Sequence, residues 1–201
     1  MTTYTAFSEY SVHGEECQMK TGRSLHPLRQ CLFCMTMLFI LPIQHALGEP
    51  LKPVSGDLYR GGTHIQFPGT GVVFIIPDNY SGFISPNGDV FVIERENEPG
   101  YILVISESEM TPEHMNTMLY QFIPYEGDIL LIPTEMPQME NNRFSLAYTG
   151  GAGEGAIKGR GMGLLNQDGT GLIMFALGQA QLMEQYERLL IDIADSTSFT
   201  P

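Results

Sequence analysis

Three apolar runs between Gly71 and Ser106 constrain this chain more than anything else in it. They are Val72–Ile76, Asp89–Glu94 and Tyr101–Ser106, and turn residues separate them. The runs are rich in Val, Ile, Phe and Tyr, side chains that suit a pleated, packed surface. Val72–Ile76 is apolar throughout, which predicts a strand covered on both faces. Pro77-Asp78-Asn79, Ser85-Pro86-Asn87-Gly88 and Glu96–Gly100 are turn sequences, and Asn-Gly supplies positive φ at little cost. Short turns between strands predict antiparallel neighbours.

The rest of the chain adds two helices and more strands. Before the three runs, Glu49–Thr63 is rich in Pro and Gly and reads as an extended arm with a short edge strand at Leu58-Tyr59. After them, Thr111-Pro112-Glu113 opens a helix with a good N-cap, a tolerated first-turn proline and an acid at the positive end of the dipole. Met115, Met118, Leu119 and Phe122 repeat at helical spacing, a face suited to core packing, and Pro124 stops the helix. Strands are predicted at Asp128–Ile132, Phe144–Thr149, Ala156–Leu165 and Leu172–Leu177, with a polar loop at Pro133–Asn142 and a hairpin loop at Asn166–Thr170. From Gln181 to Ala194, Leu182, Tyr186, Leu189, Leu190 and Ile193 form one stripe of a closing helix. No strand–helix alternation repeats, so the order predicts an α+β domain: an antiparallel sheet of about six to seven strands with helices packed on it.

The first 48 residues read differently. Arg23 and Arg29 precede an apolar centre, Cys31–Leu41, which Pro42 breaks, and Ala46-Leu47-Gly48 follows. A basic flank, a short apolar centre and a small-x-small end describe a secretory signal peptide with cleavage after Gly48. The apolar centre is well short of the roughly 20 residues that a membrane-spanning helix needs. Retention as a membrane anchor is the alternative, and Met19 is an alternative start. The expected organisation is therefore 1–48 as extension and leader, and 49–201 as one mature domain, periplasmic or secreted. All three cysteines, Cys17, Cys31 and Cys34, lie before the cleavage site. The mature domain has no disulfide, no thiolate nucleophile and no thiolate metal site.

The formal net charge is -13. Residues 1–48 contribute Lys20, Arg23 and Arg29 against Glu9, Glu15 and Glu16, so the whole surplus falls on the mature domain. Such a domain repels phosphate backbones and anionic bilayers, which disfavours nucleic acid and membrane surfaces as partners. The acidity serves solubility, or else forms a patch for a basic partner or a cation.

This arrangement resembles the PsbP-like fold, a superfamily that includes the extrinsic photosystem subunit and bacterial periplasmic DcrB-type proteins. The resemblance rests on the strand running into Pro77-Asp78-Asn79-Tyr80, the Thr111-Pro112-Glu113 helix start, the strand run from Asp128 and the closing helix leading to Ser196 and Phe199. Asn79-Tyr80 stands where those families often carry Gly-Trp. The resemblance implies an α/β/α sandwich around an antiparallel sheet, used as a binding or assembly module without known catalysis. It carries over no set of functional residues.

Candidate chemistry is sparse. Gly150–Gly163 is glycine-rich but lacks the Gly-Lys-Ser/Thr ending of a phosphate loop, and more strand follows it where a helix is needed. It reads as a flexible loop or glycine-kinked strand, whose glycines can also admit another backbone or a ligand. Lys158 and Arg160 within it are the candidate ligand-binding residues, suited to a carboxylate or phosphate. His64 and His114 are too few and too far apart for a zinc site. No serine sits in Gly-x-Ser-x-Gly. Glu94, Glu96 and Glu98 alternate at strand spacing, and the common reading is a charged strand end facing water, with calcium or acid–base chemistry as the alternative. Asn166-x-Asp168-Gly169 lacks the further acids of a calcium loop. The sequence therefore predicts no catalytic residues, no metal and no cofactor. It predicts a binding or assembly module for a partner protein or small ligand. The alternatives are an extracytoplasmic carboxylate-dependent enzyme and a cation-dependent structural factor.

Overall fold

The structure is a computed structural model that describes residues 49–86, 88–151 and 156–200. The proposed leader and its cleavage site lie outside the described residues. In chain order the elements are β1 (Tyr59–Arg60), β2 (His64–Gln66), β3 (Val72–Ile75), β4 (Ser81–Ile84), β5 (Phe91–Glu94), β6 (Gly100–Glu107), α1 (Pro112–Leu119), β7 (Ile123–Pro124), β8 (Leu130–Pro133), β9 (Gln138–Glu140), β10 (Arg143–Gly150), β11 (Ile157–Leu165), β12 (Gly171–Gln179), α2 (Met183–Ser196) and β13 (Ser198–Phe199). No described helix is long and apolar enough to cross a membrane.

Ten strands form one antiparallel sheet in the order β1-β4-β5-β6-β12-β11-β10-β8-β7, with β9 beside β10. Three more, β13-β3-β2, form a second sheet. The α+β class is as expected, but the strand count is larger than six to seven. The strands that the sequence did not predict are short: β4, β7 and β9 in the large sheet, and β2 and β13, which flank β3 in the second. The three runs of Gly71–Ser106 do not lie side by side. β5 pairs with β6, while β3 joins β2 and β13 in the second sheet.

Alternation along β12 divides the core in two. Leu172, Met174 and Ala176 face one side, where α2 and the second sheet supply Tyr186, Leu190, Ile193, Ile65, Val72 and Phe74. Ile173, Phe175 and Leu177 face the other, where α1 supplies Met115 and Leu119. β12 is the central strand, and eight of its nine residues are buried. Burying one side chain of Leu or Ile size contributes about 1.5–3 kcal/mol, so two facing layers of this kind sustain the fold without disulfides. β3 is buried at Val72, Val73 and Phe74, consistent with an apolar run covered on both faces.

The glycine-rich stretch is a strand, and its alternation explains the seat of α1. Gly159, Gly161 and Gly163 all point to the α1 side of β11, while Lys158, Arg160 and Met162 point to the α2 side. A Cβ on Gly161 would lie 3.1 Å from Leu119 Cδ2 and 3.1 Å from the Tyr148 ring. A Cβ on Gly163 would collide with the Met115 side chain, 3.1 Å from its Cγ. The missing side chains leave a groove, and the buried stripe of α1 fills it. The Tyr148 hydroxyl then donates to the Leu119 carbonyl, satisfying one of the acceptors that a helix C-terminus leaves open. At the other end, the Thr111 hydroxyl accepts from the His114 N–H at 3.1 Å, the predicted N-cap.

α1 ends earlier than its periodicity predicts. Phe122 is 63% exposed and lies beyond the helix, whose C-cap is Tyr120. Pro124 disfavours helical φ and ψ at Ile123, and Ile123 instead pairs with Leu131 as β7. The predicted Pro133–Asn142 loop contains β9, joined to β10 by Asn141-Asn142 with φ of 51° and 61°. That pair is a two-residue hairpin turn of the kind that asparagine tolerates. α2 begins at Met183 after a short 3-10 turn at Ala180–Leu182.

Two outcomes test this packing. Gly161→Val should destabilise the domain by about 1–3 kcal/mol, as overpacking does, while Gly127→Ala, in open space, should cost less despite its φ of +66°. Urea unfolding of both variants measures the difference, and equal costs would refute a filled groove. The second outcome concerns alkaline pH. Burial pushes Tyr101 up to about 12 and raises Tyr80, Tyr125, Tyr148 and Tyr186 above 10.0. The folded state resists forming phenolates that the unfolded chain forms near 10.0. Stability is therefore intact below about pH 10 and falls as pH rises through about 12. The tyrosinate absorbance of these five residues should appear together with the loss of near-ultraviolet dichroism. Their ionisation near pH 10 with the fold intact would contradict this.

Candidate functional site

Lys158 and Arg160 are brought together on the α2 side of β11. They stand two residues apart on one strand, so alternation gives them one face. With Thr134, Ala147, Ala180, Met183 and Glu187 they line an open pocket of about 340 Å³. Lys158 Nζ donates to Thr149 Oγ1 at 3.1 Å. Register places Thr149 directly opposite Lys158 on β10.

Arg160 has a carboxylate already. Its Nε donates to Glu187 Oε1 at 2.8 Å, and its other nitrogen reaches the same oxygen. Glu187 comes from α2, so this pair ties the helix to the sheet. Both side chains are about a third exposed or more. The guanidinium is thus engaged internally, and the pocket's open chemistry is the Lys158 ammonium beside threonine hydroxyls. The strand pattern placed the two cations, but nothing local in sequence pointed to Glu187.

The other candidates do not converge. β5 stops at Glu94, so Glu96 and Glu98 leave the strand and their alternation is lost. Glu98 turns inward, with its side chain 13% exposed. It accepts from Gln185 Nε2 at 3.0 Å, from Arg95 at 3.3 Å and from the Tyr80 hydroxyl at 3.4 Å. This network fastens the β5–β6 turn to α2. Among the described residues no group of three His, Cys, Asp or Glu is placed to hold a metal ion. His114 is 47% exposed and 3.9 Å from Glu107, and His64 stands apart on β2.

What the sequence missed is an apolar edge. Tyr120, Phe122, Leu130, Ile132, Met136 and Met139 are each at least 45% exposed, and all fall within twenty residues around β7, β8 and β9. On β8, Leu130 and Ile132 flank buried Leu131, so they point to the α2 side, away from the α1 core. Met139 is opposite Phe144 and faces the α1 side. There, Asn116, Thr117, Tyr120, Gln121, Met136 and Pro137 line a groove of about 390 Å³. The available signal was Met136-Pro137-Gln138-Met139, two apolar residues in a stretch otherwise polar enough to read as a loop.

The Arg160–Glu187 pair tests the division of labour in the pocket. A double-mutant cycle with Arg160→Ala and Glu187→Ala should give a coupling of no more than about 1 kcal/mol, because partly exposed pairs are screened. A coupling of several kcal/mol would make the pair a main support of α2.

No protein-family model matches the chain, and no curated protein matches it. Among solved structures, the chain is similar to the solution structure of cyanobacterial PsbP (CyanoP) from Synechocystis sp. PCC 6803. The two are 16% identical, the match covers 76% of this chain and 100% of that one, and the TM-score is 0.49.

Proposed function

We propose that this chain is a non-catalytic, extracytoplasmic binding module that docks a partner protein through the β7–β9 edge. The observation that carries the reading is that Tyr120, Phe122, Leu130, Ile132, Met136 and Met139, all exposed, lie along the β7–β9 edge, with Leu130 and Ile132 on its α2 side and Met139 on its α1 side. Exposed apolar side chains scattered singly need no explanation, whereas a grouping of this kind marks an interaction surface. Pro133 and Pro137 blunt the edge against strand addition, so side chains rather than a backbone ladder make the contact. The extracytoplasmic placement rests on the leader-like residues before Gly48. A cation-dependent factor needs a cluster of ligands, and among the described residues no group of three His, Cys, Asp or Glu is placed to hold a metal ion. Lys158 and Arg160 are assigned to the same binding role, as the cationic wall of a pocket for an acidic group of the partner or of a small ligand.

Capture from the host's envelope fraction tests the reading. The full chain and a Phe122→Ser, Ile132→Ser, Met139→Ser variant serve as baits, with Leu51→Ser, Val54→Ser as a control at the exposed arm. A partner held by the unaltered chain and the control should be lost at least about tenfold from the edge variant. Equal retention by all three baits would refute the reading.

A further inference from the structure

The α1 side of the apolar edge has a charge pattern that specifies its partner. Between Arg95 and Arg143 the chain has no Lys or Arg. That interval includes β6, α1, β7, β8 and β9, the elements that border the groove at Tyr120 and Met136. The cations of β10 and β11 are turned away from it. Arg143 bonds Asp195 of α2 at 2.7 Å, Arg160 bonds Glu187 of α2, and Lys158 lies on the α2 face of β11. Exposed acids adjoin the groove-lining residues along the chain. Glu113 is exposed one helical turn before Thr117, on the strip that continues to Tyr120. Glu135 is exposed beside Met136.

Two further features define what this groove accepts. Its projecting side chains, Tyr120 and Met136, are 46% and 66% exposed, and the Met136 thioether adapts to apolar shapes without one fixed geometry. Asn116 and Gln121 supply polar side chains to the groove wall. Among the described residues the groove thus presents Tyr120 and Met136 for apolar contact, exposed acids next to its lining along the chain, and no Lys or Arg.

We infer that the groove between the end of α1 and the β8–β9 segment docks a short basic amphipathic helix of a partner protein. Apolar residues of that helix enter between Tyr120 and Met136, and its Lys or Arg side chains meet Glu113 and Glu135. An apolar centre supplies most of the affinity, while complementary charge at the rim sets the partner and speeds encounter. An acidic partner is excluded by repulsion, because nothing on this side neutralises its charge. The inference rests on the module reading above and gives it a partner class and a site.

Fluorescence anisotropy with the full chain and three labelled peptides of about 14 residues, long enough to form a helix on binding, tests it. The first peptide is an amphipathic Leu/Lys helix, the second replaces every Lys by Glu, and the third keeps the Lys but replaces Leu by Ser. The Leu/Lys peptide should bind, and the other two should bind at least about tenfold more weakly. Tyr120→Ser with Met136→Ser should weaken the Leu/Lys peptide by about tenfold. Glu113→Gln with Glu135→Gln should weaken it by about threefold and flatten its salt dependence. All four positions are exposed, and unchanged thermal melting of the variants confirms their folding. Binding of the Leu/Glu peptide as tight as that of Leu/Lys, equal binding of the Ser/Lys peptide, no binding of any peptide, or variants that bind like the unaltered chain would each overturn the inference. Failure here with loss of the envelope partner from the edge variant would leave the module reading standing, whereas retention of that partner would remove both.

Discussion

The close approach of α1 to β11 governs the arrangement of this molecule. Gly161 and Gly163 of the strand lack a side chain, and the helix sinks into the space they leave. Leu119 and Met115 reach the sheet, and the Tyr148 hydroxyl holds the helix end at the Leu119 carbonyl. With α1 so placed, the chain must leave it at Tyr120 and turn directly into β7. Pro124 and the pairing of Ile123 with Leu131 then fix that turn. The exposed Tyr120 and Phe122 follow from this stop, because each lies just past the last residue that the sheet can cover.

α2 and the second sheet cover the other face. Tyr186 of α2 fits against Gly100 and Gly178 there, and charged pairs mark the helix border. Arg143–Asp195 and Arg160–Glu187 both run from the sheet to α2. Pairs this exposed contribute little stability. Their consequence is electrostatic. They hold the cations of β10 and β11 on the α2 side and leave the α1 side acidic. The sheet therefore separates two surfaces of unlike character, although the domain as a whole carries a large negative surplus.

Much of the fold was legible in the sequence because the relevant signals are local. The β11–β12 hairpin has its Asp168-Gly169 turn, α1 has its Thr111 cap, and α2 has a clean apolar stripe. The assignment of strands to sheets was not legible. Val72–Ile76 reads as a strand covered on both faces, and it is one, but pairing partners are non-local and its neighbours are β2 and β13. β4 was hidden by its length and by Gly82, and β9 by the polar residues around Met139. At the candidate site, alternation with glycine put Lys158 and Arg160 on one face. The carboxylate that engages Arg160 comes from a helix 27 residues away, which no local pattern reports. The glycines themselves invited a phosphate-loop reading, and only the strand pairing shows that their space is taken by a helix.

The seat of α1 on β11 is the claim on which the exposed edge, its acidic border and the proposed docking all depend. Nuclear Overhauser contacts in the full chain measure it directly. The account predicts contacts from the Gly161 α-protons to the Leu119 methyls and the Tyr148 ring, and from the Gly163 α-protons to the Met115 side chain. Resolved Gly161 and Gly163 resonances with no contact to Leu119 or Met115 would contradict it.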